Sequence, residues 1–309
     1  MKVQRTRLAP SPTGSLHLGN AFSFLCTYAL AMQNKWDIVL RIEDIDGPRK
    51  KSEHIIETYE LLDWLQISWS NKARIQTENL TPSKSLFKSI VSKNLAYHCS
   101  LTRSEMQHAM SAPHKANRES THATRPTDIN SHNKISPNNL SNWRFVSNLN
   151  KTNVHDQISG INRIAYRQDF VIWTKEDMPA YQLAVVADDH DQEITEVVRG
   201  NDLLESASWQ QQLYTAMGWE VPRWYHLPLI AGHDGNRLAK RHGDTKLTYY
   251  KSKGVPAESI IGLIAYWCRI TSKLTPMSTV DFINGFDVNL LTMKSIIYKK
   301  EEELWLLDS

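Results

Sequence analysis

The chain up to Leu65 alternates between short apolar runs and longer helical patterns, and this alternation restricts the fold more than any other feature. Val3 to Ala9 is a strand candidate that ends in the turn cluster Pro10-Ser11-Pro12-Thr13-Gly14. The apolar stretch Ala21–Met32 is long enough for a buried helix, and Ile38–Ile42 suits a buried strand. Apolar residues then recur at helical spacing, at Ile55, Ile56, Tyr59, Leu62 and Leu65. This order of strand, helix, strand and helix predicts a parallel α/β sheet.

The composition excludes several classes of protein. Of 309 residues, 41% are hydrophobic and 22% are charged, so wholesale disorder is excluded and one large or two modest domains are expected. The net charge of +3 permits a nucleic-acid partner without arguing for one. Three cysteines make neither a disulfide framework nor a thiolate metal cluster. With no signal-peptide pattern and no apolar run near the ~18 residues of a membrane span, we expect a soluble, cytoplasmic protein without a membrane partner.

The middle of the chain changes character. From residue 110 to residue 151 it is rich in Ser, Asn, His, Thr and Pro, and it carries 6 Lys or Arg against 2 Asp or Glu. This composition is typical of a surface insertion or a mobile linker. A solvated loop and a contact with a nucleic-acid backbone both remain open for it.

The segment from Arg7 to Asn20 predicts an anion site. A strand ends, a Pro/Gly turn follows and a helix begins near His17, so the helix offers unpaired N–H groups and its positive dipole end. Gly19 would let a nucleotide approach the backbone, and His17 could donate to phosphate oxygens. An ordinary turn with a capping histidine is the alternative.

The segment from Arg237 to Gly243 places three cations, Arg237, Lys240 and Arg241, within five residues of a glycine-flanked loop. Mobile cationic loops suit triphosphate chemistry, because they can close on charge as it shifts in the transition state. A solvent-exposed basic loop is the alternative.

Together and in this order, the two segments resemble the HIGH and KMSKS signatures of class I aminoacyl-tRNA synthetases. The blocks RLAPSPTGSLHLGNA, LRIEDIDGPR, PAYQLAVVADD, EVVRGNDLL and the KRHG ending resemble the glutamyl branch of that family. The resemblance implies a Rossmann-type catalytic domain split by an insertion and followed by a small helical C-terminal region. In that division, residues 1–95 and 165–245 form the catalytic domain, residues 96–164 the insertion, and residues 246–309 a stem-contact-like region.

The resemblance also implies the roles of individual residues. Arg7 and Arg199 would bind substrate carboxylates, Glu43 the α-ammonium group, and Tyr181 and Ser11 would supply neutral hydrogen bonds to glutamate. His17, Gly19, Asn20 and Lys240 would bind ATP, and His17 and Lys240 would act as the catalytic groups. Without the resemblance, Arg7 would be interpreted as a surface cation, Glu43 as a strand-end charge and Tyr181 as core.

The implied reaction is the adenylation of L-glutamate by ATP with Mg²⁺, and the sequence shows no dedicated metal site of its own. Many relatives carry a Cys-x-Cys zinc motif where this chain has Cys99 and Leu101, and a structural zinc needs four ligands. Zinc is therefore expected to be absent. Substitute ligands from His98, His108, His114 and His122 match no zinc spacing.

Only 66 residues follow Gly243, and Val185 stands where glutamyl-tRNA synthetases place Asn. In both features the chain resembles the shortened glutamyl-queuosine tRNA(Asp) synthetases. This resemblance implies that the chain has no anticodon-binding domain, that it is a monomer, and that its partner is queuosine-containing tRNA(Asp). Arg237 and Ala239 replace the usual Lys and Ser of the signature loop. A trimmed glutamyl-tRNA synthetase acting on tRNA(Glu), a non-catalytic tRNA-binding relative and another nucleotidyl-transferring enzyme of this fold remain alternatives.

Overall fold

The computed structural model describes residues 3–12, 14–45, 52–100, 109–110, 125–129, 142–147, 151–165, 169–232, 238 and 245–309. Most of the polar segment 110–151 and the loop that carries Lys240 lie outside these residues. The strands are β1 Arg5–Leu8, β2 Asp37–Ile42, β3 Ser70–Ile75, β4 Ala96–Cys99, β5 Asn142–Phe145, β6 Lys151–Asp156, β7 Gly160–Ala165, β8 Phe170–Trp173, β9 Glu196–Gly200, β10 Arg223–Leu227, β11 Ile230–Ala231 and β12 Ile296–Ile297. The helices are α1 Leu18–Asn34, α2 Ser52–Trp64, α3 Thr81–Ser92, α4 Tyr181–Asp191, α5 Leu204–Met217, α6 Leu247–Ser252, α7 Ala257–Trp267, α8 Thr279–Gly285 and α9 Lys300–Leu307.

The central sheet is parallel over most of its width. Strand β2 pairs in parallel with β1 and with β3, and β10 pairs in parallel with β9 and with β6. The two groups meet where the Thr195 N–H donates to the Arg5 carbonyl at 2.9 Å, beside the start of β9. The resulting order, β3-β2-β1-β9-β10-β6, contains the 3-2-1-4-5 arrangement of Rossmann-type sheets. The predicted parallel α/β sheet is confirmed.

Helix α1 crosses the interior of the molecule. Most of its residues from Leu18 to Ala31 are buried, because the sheet packs on one side of it and the C-terminal helices pack on the other. It begins after His17, three residues before the predicted apolar stretch, since His17 caps it. It ends at Lys35, which adopts a left-handed conformation with φ 57°.

The chain between the two halves of the sheet contributes to two sheets. Strands β4 and β5 form an antiparallel sheet with β8, whereas the β6–β7 hairpin joins the central sheet through β10. Two strands of the predicted insertion, residues 96–164, therefore pair with strands that follow it, β5 with β8 and β6 with β10. The division into separate domains stays a prediction.

The C-terminal region packs directly on α1. The apolar residues around Ile260 form the predicted helix, α7, which is buried along most of its length. Cys268, the C-cap of α7, brings its Sγ atom to 3.8 Å from Sγ of Cys26 in α1, and both side chains are fully buried. Among the helices that the structure describes, none combines the length and apolar character of a membrane span.

Candidate active site

The turn that precedes α1 is held by a reciprocal cap. His17 Nδ1 accepts a hydrogen bond from the Gly19 N–H at 3.1 Å, and Asn20 Oδ1 accepts one from the His17 N–H at 3.0 Å. Because Nδ1 is the acceptor, the imidazole carries its proton on Nε2 and donates from that nitrogen. The capping histidine is therefore confirmed, and its tautomer also suits donation to a phosphate oxygen.

Gly19 has a local reason to be glycine. A Cβ atom at this position would lie 2.9 Å from Cε1 and 3.0 Å from Nδ1 of His17. The His17 ring thus occupies the space that a side chain at position 19 would need. The sequence predicted close approach of a nucleotide here; the structure shows close approach of His17.

The described residues that follow the cationic loop are hydrogen-bonded to this turn. The Leu18 N–H donates to the Thr245 carbonyl at 3.0 Å, and the Leu247 N–H donates to the Leu16 carbonyl at 2.9 Å. Leu238, inside the loop, donates its N–H to the carbonyl of Ile230 in β11 at 3.2 Å. Lys240 itself, with Arg237, Ala239, Arg241 and His242, lies outside the described residues, so its predicted role stays a prediction.

Buried charges alternate at the carboxyl ends of β1 and β2. Arg7 Nε lies 3.2 Å from Asp189 Oδ1, and Arg41 Nη1 lies 2.7 Å from the same oxygen. Arg41 Nη2 in turn lies 2.9 Å from Glu43 Oε1. Arg41 is fully buried, and the side chains of Arg7 and Asp189 are almost so. Two predicted residues, Arg7 and Glu43, are therefore linked through two that the sequence did not single out.

The pKa values of Asp189 and its neighbour Asp188 are shifted in opposite directions. Burial alone would raise the pKa of Asp189, but the positive charges of Arg41 and Arg7 outweigh it and lower this pKa. Burial dominates at Asp188 and raises its pKa to about 6, although Arg41, Gln76 and Arg74 act against the shift. Asp189 is therefore the fixed negative charge between two arginines. Its Oδ2 atom has no hydrogen-bond partner among the described residues.

The hydroxyl of Tyr181, the first residue of α4, lies among the predicted glutamate-binding charges. The pKa of Tyr181 is raised to about 12, by burial first and by the negative charge of Glu43 second, while the positive charges of Arg199 and Arg7 act against the shift. These three charges are close enough to act on one phenol. The structure thus brings together four of the five predicted glutamate-binding residues. The fifth, Ser11, is an exposed residue of the turn after β1.

Arg199, in β9, is buried and firmly held. Its Nη1 donates to Gln210 Oε1 at 2.9 Å and its Nη2 donates to the Leu203 carbonyl at 3.1 Å. Its Nε donates to His226 Nε2 at 3.2 Å, and its guanidinium carbon lies 4.9 Å from the centre of the Trp224 ring. These bonds use three of the five N–H groups and leave one on each terminal nitrogen. A carboxylate can bind a guanidinium in a bidentate contact through one N–H on each of two nitrogens.

Sequence reasoning missed Arg41, Asp189 and His226. Arg41 carried a readable signal, since a charged residue inside the apolar run Ile38–Ile42 must be paired if the strand is buried. Asp189 and His226 carried weaker signals, because their partners lie far away along the chain.

Comparison with known proteins fits this geometry. The family model described as "tRNA synthetases class I (E and Q), catalytic domain" matches residues 2–305. The chain belongs to this family. Class I synthetases are ATP-dependent ligases, and the predicted Rossmann-type class I fold is confirmed.

Individual relatives of this family are similar to the chain to different extents. A glutamyl-Q tRNA(Asp) synthetase from Rhodopirellula baltica is 37% identical over 294 residues, which cover 88% of this chain and 86% of that protein. A glutamate–tRNA ligase from Orientia tsutsugamushi is 35% identical over 82% of this chain and 54% of its own length. The crystal structure of a glutamate tRNA ligase from Elizabethkingia meningosepticum, in complex with its amino acid, superposes with a TM-score of 0.79 at 26% identity. It covers 99% of this chain and 69% of that one. The chain thus spans about half the length of the glutamate–tRNA ligase from Orientia and most of the length of the glutamyl-Q relative.

Proposed function

We propose that the protein activates L-glutamate with ATP and transfers it to the queuosine base of tRNA(Asp). The observation that carries the first half is the buried cluster around Tyr181. It contains three arginines, Arg7, Arg41 and Arg199, and two carboxylates, Glu43 and Asp189. Asp188 is paired with Arg74 at 3.3 Å and so adds no net charge. The three positive and two negative charges therefore suit a ligand with two carboxylates and one ammonium group, because the total charge then balances.

Within this cluster, each proposed contact has a chemical reason. Arg199 and Arg7 bind the two substrate carboxylates, since each guanidinium keeps N–H groups beyond those bonded to described residues. Glu43 binds the α-ammonium group, while Tyr181 and Ser11 supply neutral hydrogen bonds. In the reaction, an α-carboxylate oxygen attacks the α-phosphorus of ATP, pyrophosphate leaves and glutamyl-AMP forms.

The phosphates of ATP bind at the start of α1, beside His17, Gly19 and Asn20. His17 donates from Nε2, and Lys240 supplies positive charge as it builds on the leaving pyrophosphate. In the described part of the chain, no group of three or more His, Cys, Asp or Glu residues could hold a metal ion. We therefore propose that Mg²⁺ is coordinated mainly by the triphosphate. The zinc prediction depends on Leu101, which lies outside the described residues.

The proposed acceptor is a hydroxyl of the queuosine cyclopentenediol, which attacks the glutamyl carbonyl and releases AMP. The match over 86% of a glutamyl-Q tRNA(Asp) synthetase supports this choice. So does Val185, one helical turn after Tyr181, because it stands where the resemblance places Asn in glutamyl-tRNA synthetases. We further propose that the protein acts as a monomer in the cytoplasm, where its tRNA is available.

Two assays on the purified chain test the proposal. Glutamate-dependent ATP–pyrophosphate exchange in the absence of tRNA tests activation. Transfer of labelled glutamate to queuosine-containing tRNA(Asp), queuosine-free tRNA(Asp) and tRNA(Glu) tests the acceptor. We expect exchange without tRNA and labelling of the first tRNA alone.

Other outcomes would favour the alternatives. Charging of the 3′ end of tRNA(Glu) would identify a glutamate–tRNA ligase instead. The similarity to the Orientia enzyme is the observation that favours this alternative. A folded protein without exchange activity would be a non-catalytic relative, in which the Arg237 and Ala239 replacements in the signature loop have abolished turnover.

A further inference from the structure

Arg199 is held in place by a chain of buried groups that reaches into the hairpin β6–β7. Arg199 Nε–H donates to His226 Nε2 at 3.2 Å, and His226 Nδ1 lies 2.7 Å from Asp156 Oδ2. The His226 and Asp156 side chains are both 0% exposed. Since Nε2 accepts from a permanently charged guanidinium, Nδ1 must carry the ring proton and donate it to the carboxylate.

Asp156 is itself fixed from two sides. Its Oδ2 also accepts the backbone N–H of His226 at 2.9 Å, while Oδ1 accepts the N–H groups of Ile158 at 3.0 Å and Ser159 at 2.8 Å. The carboxylate therefore cannot turn without breaking several bonds. It is supplied by the segment between the two halves of the central sheet, at the point where Asp156 is in register with Trp224 of β10.

We infer that His226 and Asp156 are positioning residues that orient the Arg199 guanidinium for a substrate carboxylate. The inference rests on the proposed role of Arg199 in binding glutamate. Each of the two hydrogen bonds of His226 has one donor and one acceptor, and with the bonds to Gln210 and to the Leu203 carbonyl they fix the orientation of the guanidinium plane. The orientation matters because the two N–H groups left on Arg199 must point at the same carboxylate.

His226 must remain neutral for this arrangement to hold, because a protonated ring could not accept from Arg199. The pKa of His226 is lowered to about 4: burial is the largest cause and the charge of Arg199 adds to it, while the hydrogen bond that His226 donates to Asp156 acts against the shift. The neutral form therefore predominates at physiological pH.

Two substitutions separate the two side-chain hydrogen bonds of His226. His226→Asn keeps an amide N–H near the position of Nδ1, facing Asp156, but loses the acceptor for Arg199. His226→Gln places its carbonyl near the position of Nε2 and keeps that acceptor. His155→Asn is the matched control, since His155 is an exposed residue of the same strand as Asp156.

We expect His226→Asn to raise KM for glutamate about tenfold or more in pyrophosphate exchange, as a lost hydrogen bond to a charged group would. KM for ATP should stay unchanged. His226→Gln should stay within about threefold of the wild type, and His155→Asn should match it. A purely structural role for His226 would instead lower the active fraction, and with it kcat, at unchanged KM for both substrates. Equal effects of the Asn and Gln variants on KM for glutamate would also overturn the inference.

The wild-type protein supplies a test that needs neither a variant nor activity. In ¹⁵N spectra of histidine-labelled protein, His226 should be protonated at Nδ1 and unprotonated at Nε2, and a proton on Nε2 would overturn the inference. Arg199→Lys separates the two proposals. If this change leaves KM for glutamate unaltered, the proposed role of Arg199 is wrong, even where the spectra confirm the hydrogen bonds.

Discussion

Arg41 is the residue on which the buried charges most depend. It lies 2.7 Å from Asp189 and 2.9 Å from Glu43, and it is fully buried. Arg41→Met should therefore lower the free energy of unfolding by about 3–5 kcal/mol, because it removes the arginine that pairs with Glu43 and leaves Asp189 with Arg7 alone. Urea unfolding measures this change. Lys84→Met, which removes an exposed ion pair with Asp177, should cost less than about 1 kcal/mol. A loss at Arg41 as small as the control's would contradict the prediction.

His226 should make stability depend on acid. Its pKa is about 4 in the folded protein against an ordinary value of 6.5, so the unfolded chain takes up the proton first as the pH falls. The contribution of neutral His226 to the free energy of unfolding is complete above pH 6.5 and is lost as the pH falls through 4. The loss amounts to up to about 3 kcal/mol. His226→Gln should remove this part of the dependence of the free energy of unfolding on pH. Urea unfolding of the wild type and the variant at pH 7 and pH 4.5 measures this difference. If both proteins lose the same free energy of unfolding between the two pH values, the prediction is wrong.

The residues of the proposed glutamate site could be predicted one by one, but their partners could not. The proposed glutamate-binding residues Arg7, Glu43, Tyr181 and Arg199 were predicted through a family resemblance, since each type alone suits a surface or a core equally well. Pairing could not be predicted, because Asp189 meets Arg7 across 182 residues of chain. Only the fold decides which buried charges become neighbours.

The turn before α1 is the element whose shape matters most for the proposed ATP site. Gly19→Ala places a methyl group 2.9 Å from the His17 ring and should displace it. Because shifts of about 1 Å in a catalytic group cost on the order of 10²-fold, kcat/KM for ATP in pyrophosphate exchange should fall by roughly this factor.

Gly14→Ala is the control for this prediction. Gly14 belongs to the same turn, but nothing lies within 4 Å of a Cβ atom built on it. This variant should exchange pyrophosphate like the wild type. If both variants lose activity equally, the His17 ring is not the cause.

The cationic loop is the second element with a testable role. Lys240→Ala should lower the rate of adenylation far more than the affinity for ATP, because the lysine acts on charge that develops in the transition state. Single-turnover exchange and equilibrium ATP binding measure the two quantities. Equal losses in both would show that Lys240 contributes only to ground-state binding.

For the whole molecule, the sequence predicted the order of the elements better than their pairing. The strands and helices up to Leu65 lie close to where the apolar patterns placed them, because local spacing and turn residues determine them. The sheet of β4, β5 and β8 could not be foreseen, since β5 lies inside the polar segment 110–151 and its partners lie outside it. The pairing of β6 with β10 is equally non-local. Such contacts depend on the finished core.

The neighbouring thiols of Cys26 and Cys268 have a consequence for the stability of the whole. They lie on opposite sides of the boundary between the central sheet's first helix and the C-terminal region, whereas Cys99 is half-buried elsewhere. Burial raises the pKa of Cys26 well above its ordinary value, so this thiol is protected from thiol reagents both by its protonation and by its enclosure, and Cys268 is protected by its enclosure. With a thiol reagent, Cys99 should react quickly, whereas Cys26 and Cys268 should react only as fast as the C-terminal region separates from α1. A single rate for all three thiols would refute this. The cysteines thus measure, without an added label, how often the C-terminal region separates from the catalytic core.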